Sequence, residues 1–216
     1  TETVSECVSK SDGYYYAPYN PNLDVDESLQ IDRLIIDNSR SIGGDTGTIT
    51  ADAITGFGIS EGAIIGGQFI PGGIQMHDLE EFRLIMGSGN DVVTMESSMA
   101  GISTIETGQG DDQVAIRKSF GHLNILTQEG DDTVELDNDQ HSTRTLAGVT
   151  TVNMGDEGIA NDRLIINNSG MTETETTTLT QNSIQGLGMP ALPEIQTIEI
   201  RAAEGTYNLH ASTTND

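Results

Sequence analysis

The stretches "GSGNDVVTM" (Gly87–Met95), "GQGDDQVAI" (Gly108–Ile116) and "QEGDDTVEL" (Gln128–Leu136) write one pattern three times. A single Gly-Asp is a turn, because an aspartate after glycine can bond its own backbone. Repetition at a near-constant interval asks for a repeating fold. Asp91 to Asp112 is 21 residues and Asp112 to Asp132 is 20. The alignment extends to Asp32 and Asp162. Two residues after the five aspartates stand Leu34, Val93, Val114, Val134 and Leu164, and four after stand Ile36, Met95, Ile116, Leu136 and Ile166. All ten are apolar, and alternation with period two marks a strand with one buried face. A second apolar set precedes the glycine corners: Phe82, Leu84 and Met86, then Ile105, Leu123 with Ile125, Val152 with Met154, and Ile198 with Ile200. Each coil therefore carries two short strands and one Gly-Asp corner.

A period of about 20 residues is too short for strand, helix and strand, whose crossover alone takes a dozen or more. Gly, Thr and Asn recur too often for a long helical stripe to survive. The expected fold is all-β, a parallel β-solenoid over residues 29–216, with rungs of about 20 residues and longer inserts. The step from Asp132 to Asp162 is 30 residues, with the surplus in "DNDQHSTRTLAG". A longer repeat lies over the short one. "DRLIIDNSRS" from Asp32 returns as "DRLIINNSGM" from Asp162, and "TITADAITGFGI" ending at Ile59 returns as "TLTQNSIQGLGM" ending at Met189, both 130 residues on. The offset falls to 116 between "LEEFRLIMGSG" and "IQTIEIRAAEG", so the second copy lacks about fourteen residues where the first has "EGAIIGGQFIPGG". The chain holds one super-repeat and part of the next.

Residues 1–28 lack the pattern. "DGYYYAPYNPN" holds four of the five tyrosines and reads as an irregular cap, arm or linker. A cap has a purpose, since the end of a coil stack exposes strand edges. Cys7 is the only cysteine, which excludes an internal disulfide. No stretch is apolar enough to span a membrane as a helix, and Thr1 at the start fits a processed protein or a piece of a longer one. Asn167 opens the single N-glycosylation sequon.

Nine Lys and Arg against 34 Asp and Glu leave a formal charge of −25, with 4% aromatics and no Trp. Such a surface repels phosphate backbones, so nucleic acid is excluded as the expected partner, and cations are the natural counterpart. The three Gly-Asp stretches resemble the RTX family, whose nonapeptide Gly-Gly-x-Gly-x-Asp-x-U-x builds calcium-binding parallel β-rolls in large secreted proteins. The resemblance implies Asp91, Asp112 and Asp132 as calcium ligands, with Gly87, Gly89, Gly108, Gly110 and Gly130 as turn residues. It covers about fifty residues, Gly87–Leu136. It departs from the family where Thr107 and Thr127 stand for the first glycine and Gln128 for the second, and in its spacing, since the family repeats every nine residues.

In-register rungs would set the aspartates about 4.8 Å apart, where two charges repel by about 0.9 kcal/mol in water and several-fold more at lower dielectric. Asn90, Asp111 and Asp131 beside them add further oxygens, and calcium suits such hard ligands better than zinc or copper. The alternative at these corners is a plain Asx turn with no ion. His77, His122, His141 and His210 match no zinc spacing, and no serine-hydrolase, metalloprotease or phosphate-loop motif occurs. The expectation is a non-enzymatic structural repeat module of an extracellular fibre, appendage or surface adhesin. It would bind calcium and associate with itself or with neighbouring repeats. The rival expectation is a calcium-dependent β-solenoid module of a secreted polysaccharide-active enzyme.

Overall fold

A computed structural model describes residues 7–10, 13–16, 30–155, 161–171, 176–180, 183–187, 189, 198–201 and 206–210, the first two and last two of these by backbone alone. The chain divides into a unit Thr1–Asp32 and a unit Arg33–Asp216. In the first, β1 (Cys7–Lys10) and β2 (Gly13–Tyr16) form an antiparallel hairpin. The rest of the expected cap, and the side chain of Cys7, lie outside the described residues.

The second unit is all-β. Its strands are β3 (Arg33–Asp37), β4 (Thr46–Ile49), β5 (Ala53–Gly56), β6 (Gly62–Ile65), β7 (Gln68–Pro71), β8 (Ile74–Gln75), β9 (Glu81–Ile85) and β10 (Val92–Met95), then β11 (Ile102–Glu106), β12 (Gln113–Ile116), β13 (His122–Leu126) and β14 (Thr133–Leu136), and finally β15 (Thr150–Asn153), β16 (Arg163–Asn167), β17 (Thr177–Leu179), β18 (Ser183–Gly186), β19 (Ile198–Arg201) and β20 (Thr206–His210). Sixteen of them build two eight-stranded sheets, and β6 and β7 pair only with each other. Sheet I runs β17-β18-β19-β15-β13-β11-β9-β3, and sheet II runs β20-β16-β14-β12-β10-β4-β5-β8. From β9 to β16 consecutive strands alternate between the sheets, so every pairing in that stretch is parallel and skips one strand. Val93 sits beside Val114, Val114 beside Val134 and Val134 beside Leu164. The aspartate alignment thus gives the true register. The sheets become antiparallel only at their ends, at β4-β5-β8 and β17-β18-β19.

The two apolar columns predicted from sequence face each other as one core. Val93, Met95, Val114, Ile116, Val134, Leu136, Leu164 and Ile166 come from sheet II; Phe82, Leu84, Met86, Ile105, Leu123, Ile125, Val152 and Met154 come from sheet I. The core is two aliphatic side chains deep per rung, which explains how 4% aromatics suffice. Each buried Val, Leu or Ile contributes about 1.5–3 kcal/mol, and the gain accrues rung by rung.

One alignment needs correcting. Asp32 leads into β3, which lies in sheet I, whereas the strands after Asp91, Asp112, Asp132 and Asp162 lie in sheet II. The sheet II strand at that end is β4, preceded by Gly43-Gly44-Asp45. The near-identical stretches at β3 and β16 therefore occupy opposite sheets, nine strand positions apart once the inserts are set aside. Because both sheets face the same core, the same alternation serves either one. The "EGAIIGGQFIPGG" surplus folds as the separate β6–β7 hairpin, and "DNDQHSTRTLAG" folds as a corner holding a 3₁₀ turn, Thr143–Thr145.

Truncation inside the core should be costly and truncation outside it mild. Ile116→Ala should cost about 2–5 kcal/mol, and Ile102→Ala, at an exposed position on β11, under about 0.5 kcal/mol. Denaturant melts of the two variants check this, and equal losses would contradict the assignment of faces.

Candidate functional site

The Gly-Asp corners are where the chain enters sheet II, and the two consecutive acidic positions at each corner point to opposite sides of the backbone. Asp91, Asp112, Asp132 and Asp162 turn inward and are buried; Asn90, Asp111, Asp131 and Asn161 are left at the surface or only half-covered. Two columns result.

In the inner column each carboxylate Oδ1 accepts the backbone N–H of the aspartate one rung earlier. Asp45 N donates to Asp91 at 2.7 Å, Asp91 N to Asp112 at 2.8 Å, Asp112 N to Asp132 at 2.8 Å and Asp132 N to Asp162 at 3.0 Å. The carbonyls of Asp45, Asp91, Asp112 and Asp132 accept the N–H of Val92, Gln113, Thr133 and Arg163 one rung later. The outer column runs the other way. Asn90 Oδ1 accepts from Asp111 N at 3.1 Å, Asp111 Oδ1 from Asp131 N at 3.1 Å, and Asp131 Oδ1 from Asn161 N at 2.9 Å. A corner between parallel strands would otherwise leave these amides without partners, and the two ladders satisfy them at four successive rungs.

Glycine enters for a local reason. Gly110 and Gly130 have φ of 122° and 136°, and a Cβ on Gly130 would lie 2.1 Å from the Gly110 carbonyl oxygen. Only glycine lets one corner sit so directly on the next. Gln128 takes the place of Gly108 and adopts a left-handed φ of 69°, a conformation that costs a side-chain-bearing residue strain.

The inner Oδ2 atoms of Asp91, Asp112 and Asp132 are buried and accept no hydrogen bond. Burial pushes the Asp91 carboxyl up to about 6 against the opposing Asp45 N–H, and the Asp132 carboxyl up to about 7 against the Asp112 N–H and the Thr127 hydroxyl beside it. Asp112 is raised for the same reason, opposed by Thr107 and the Asp91 N–H, with Asp111 adding repulsion. Protonation of Oδ2 removes a buried charge; Thr107 Oγ1 donates to the Thr127 carbonyl at 3.1 Å, and Thr127 Oγ1 is buried without a bonding partner.

The same geometry tests the residues against calcium, which takes six to eight oxygens. The inner column offers the buried Oδ2 atoms of Asp91, Asp112 and Asp132, and the outer Oδ1 atoms are held by amides. Among the described residues no three His, Cys, Asp or Glu side chains converge so as to hold a metal ion. Asn90, Asp111 and Asp131 are thus separated from Asp91, Asp112 and Asp132 by the backbone instead of sharing one edge with them. A calcium ion at these corners would need main-chain carbonyl or water oxygens besides these side chains.

Two other polar groupings stand out. Buried Asp137 holds Arg117 Nη1 at 2.5 Å and His141 Nδ1 at 2.8 Å, tying β12 to the long corner insert. On the outer face of sheet I a trough of about 400 Å³ is lined by Arg83, Thr104, Glu106, Asn124, Leu126, Thr151 and Asn153. Among the described residues that line it Glu106 is the one carboxylate, and it is paired with Arg83 at 2.6 Å.

Sequence reasoning missed Asp45 and Asp137. The "GGD" at Gly43–Asp45 was a signal for the first; for the second there was none, since its partner Arg117 is twenty residues away. Comparison with known proteins finds no matching family model, no matching curated protein and no matching solved structure.

Two outcomes follow from the ladders. Asp112→Ala strips the acceptor from the buried Asp91 N–H and should cost about 1–3 kcal/mol, while Asp112→Asn keeps the acceptor and should stay close to the parent; equal losses in urea melts would contradict the ladder. For pH, the inner carboxyls are raised above their unfolded values, so the folded state holds protons that the unfolded state releases. Their contribution is full below about pH 4 and is lost as pH rises to about 7. Stability should therefore fall between those values, and Asp132→Asn should flatten the fall and raise the Tm at pH 8. A parent more stable at pH 8 than at pH 5 would contradict this.

Proposed function

We propose that the chain is a non-enzymatic structural repeat module, a β-solenoid of about 20-residue rungs that serves as a stiff element of an extracellular fibre, appendage or surface adhesin. The observation that carries the reading is the pair of opposed amide–carboxylate ladders through the corners at Asp91, Asp112, Asp132 and Asp162. Residues spent on locking one rung to the next give a rod its stiffness and leave no convergent chemistry. The charge of −25 supports a role in an aqueous, cation-rich setting, where self-repulsion keeps such rods from lateral aggregation. Super-repeats of 130 residues are how arrays lengthen, by duplication of whole units.

Calcium has no structural step in this reading. The amide ladder does at these corners what an ion does in the RTX rolls they resemble, and the self-association of units stands in place of a ligand. The rival reading, a polysaccharide-active solenoid, would place substrate in the sheet I trough.

Melting in EDTA and in millimolar calcium, with magnesium as the control for screening, separates these readings. The expected Tm change specific to calcium is under about 1 °C. Calcium at a hundred times its Kd would add about 2.7 kcal/mol, or about 5–10 °C for a chain of this size, and such a rise would return the ion to the corners. Release of reducing ends or unsaturated products from neutral or acidic polysaccharides would overturn the non-enzymatic assignment.

A further inference from the structure

The stretch Asp-Arg-Leu-Ile-Ile occurs twice, and its two copies have different neighbours. At β16 it is flanked on both sides by parallel strands, β14 and β20, and Leu164 and Ile166 are buried. At β3 it is the last strand of sheet I. Among the described residues β3 pairs on one side only, with β9, and Leu34 and Ile36 are partly exposed. The internal copy thus shows what the end copy lacks: on its far side, a parallel strand following a Gly-Asp corner.

The two sheets do not end alike. Sheet II is closed beyond β4 by antiparallel β5 and by β8, which is only two residues long, a device that blunts an edge. Among the described residues, sheet I stops at β3 with no such device. Asn38 N donates to Ile85 O on β9 at 2.8 Å, so by strand alternation Leu34 and Ile36 face β9, and the N–H and C=O of Ile35 face outward from the sheet. The same end carries the apolar hairpin β6–β7, with Ile64, Ile65, Phe69 and Ile70 all exposed, and exposed Ile35 and Ile42. Among the described residues, six of the ten exposed large apolar side chains lie on this stretch, Ile35 to Ile70. The partial second unit lacks the residues of this hairpin in its sequence.

We propose that the β3 edge is a docking site for a second copy of this chain, which adds β20 in parallel as the next strand of sheet I. This deepens the module reading and rests on it. Among the described residues β20 is the terminal strand of sheet II; it is parallel to β16 and sets Tyr207 in register with Leu164, in the column that Val93, Val114 and Val134 share. The nine-position spacing between β3 and β16 swaps the sheets, so a sheet II strand of one copy continues sheet I of the next after a half turn. The contact is head-to-tail and heterologous, and such contacts propagate into filaments unless a rotation closes them. Opposed to it is the net charge of −25 on each copy, so association strengthens with salt.

The test is sedimentation velocity of the full chain from micromolar to several hundred micromolar protein, at 50 and 500 mM NaCl. The parent is expected to form dimers and longer linear species with rising concentration, more at high salt. Ile35→Pro removes only the outward N–H, a substitution that edge strands accept, and Ile35→Lys places an edge lysine there without changing the backbone. Both are expected to remain monomeric at concentrations where the parent is mostly assembled, with unchanged circular dichroism. A parent that stays monomeric throughout overturns the proposal, as does assembly that both variants retain. Protection of the Ile35 amide from hydrogen exchange at a concentration where the chain is monomeric also overturns it, because the chain's own N-terminal segment would then cover the edge. None of these results bears on polysaccharide cleavage, so the docking site and the module reading fail separately.

Discussion

The structure depends on the bond from a backbone amide to an aspartate carboxylate one rung away. From β9 to β16 the chain passes from one sheet to the other after every strand, and the turns into sheet II leave amides that no strand reaches. Asp91, Asp112, Asp132 and Asp162 take them up on the inner side, while Asn90, Asp111 and Asp131 do so on the outer side. The two columns run in opposite directions, so each middle rung is held to both neighbours by side chains as well as by strand ladders. That arrangement lets a core only two aliphatic residues deep remain ordered over several rungs.

The cost of this device is carboxyl groups in a dry interior. An ionised aspartate with one oxygen unsatisfied is unfavourable there, and burial raises Asp91 and Asp132 to about 6 and 7. The corner keeps its acceptor in either protonation state, because Oδ1 bonds the amide and Oδ2 takes the proton. The threonines at 107 and 127, which break the family glycine pattern, bring hydroxyl oxygens beside Asp112 and Asp132. The departure from the nonapeptide and the chemistry of the inner column are thus one feature.

Much of the fold was legible because period two and a 20-residue interval are both backbone properties. Val93, Val114 and Val134 align by sequence and pair by register without correction. Asp32 misled because its sequence is so close to that of Asp162; a strand suited to one sheet suits the other equally, and alternation carries no label for which sheet it enters. The corner residues were legible as a set but not by role. A repeated aspartate has the same appearance as an ion ligand or as an amide acceptor, and the repeat alone does not tell that Asp112 is buried and Asp111 exposed. The Arg117–Asp137–His141 grouping had no local pattern, since its members meet through rung stacking and a long insert.

Hydrogen exchange of individual amides tests the central claim most directly. At pH 8, where every surface carboxylate is ionised, the Asp91, Asp112 and Asp132 amides should be protected to the same degree as Gln113 and Thr133, which bond strand-like to carbonyls one rung away. Protection of Gln113 and Thr133 with free exchange at the three aspartate amides would contradict the ladder.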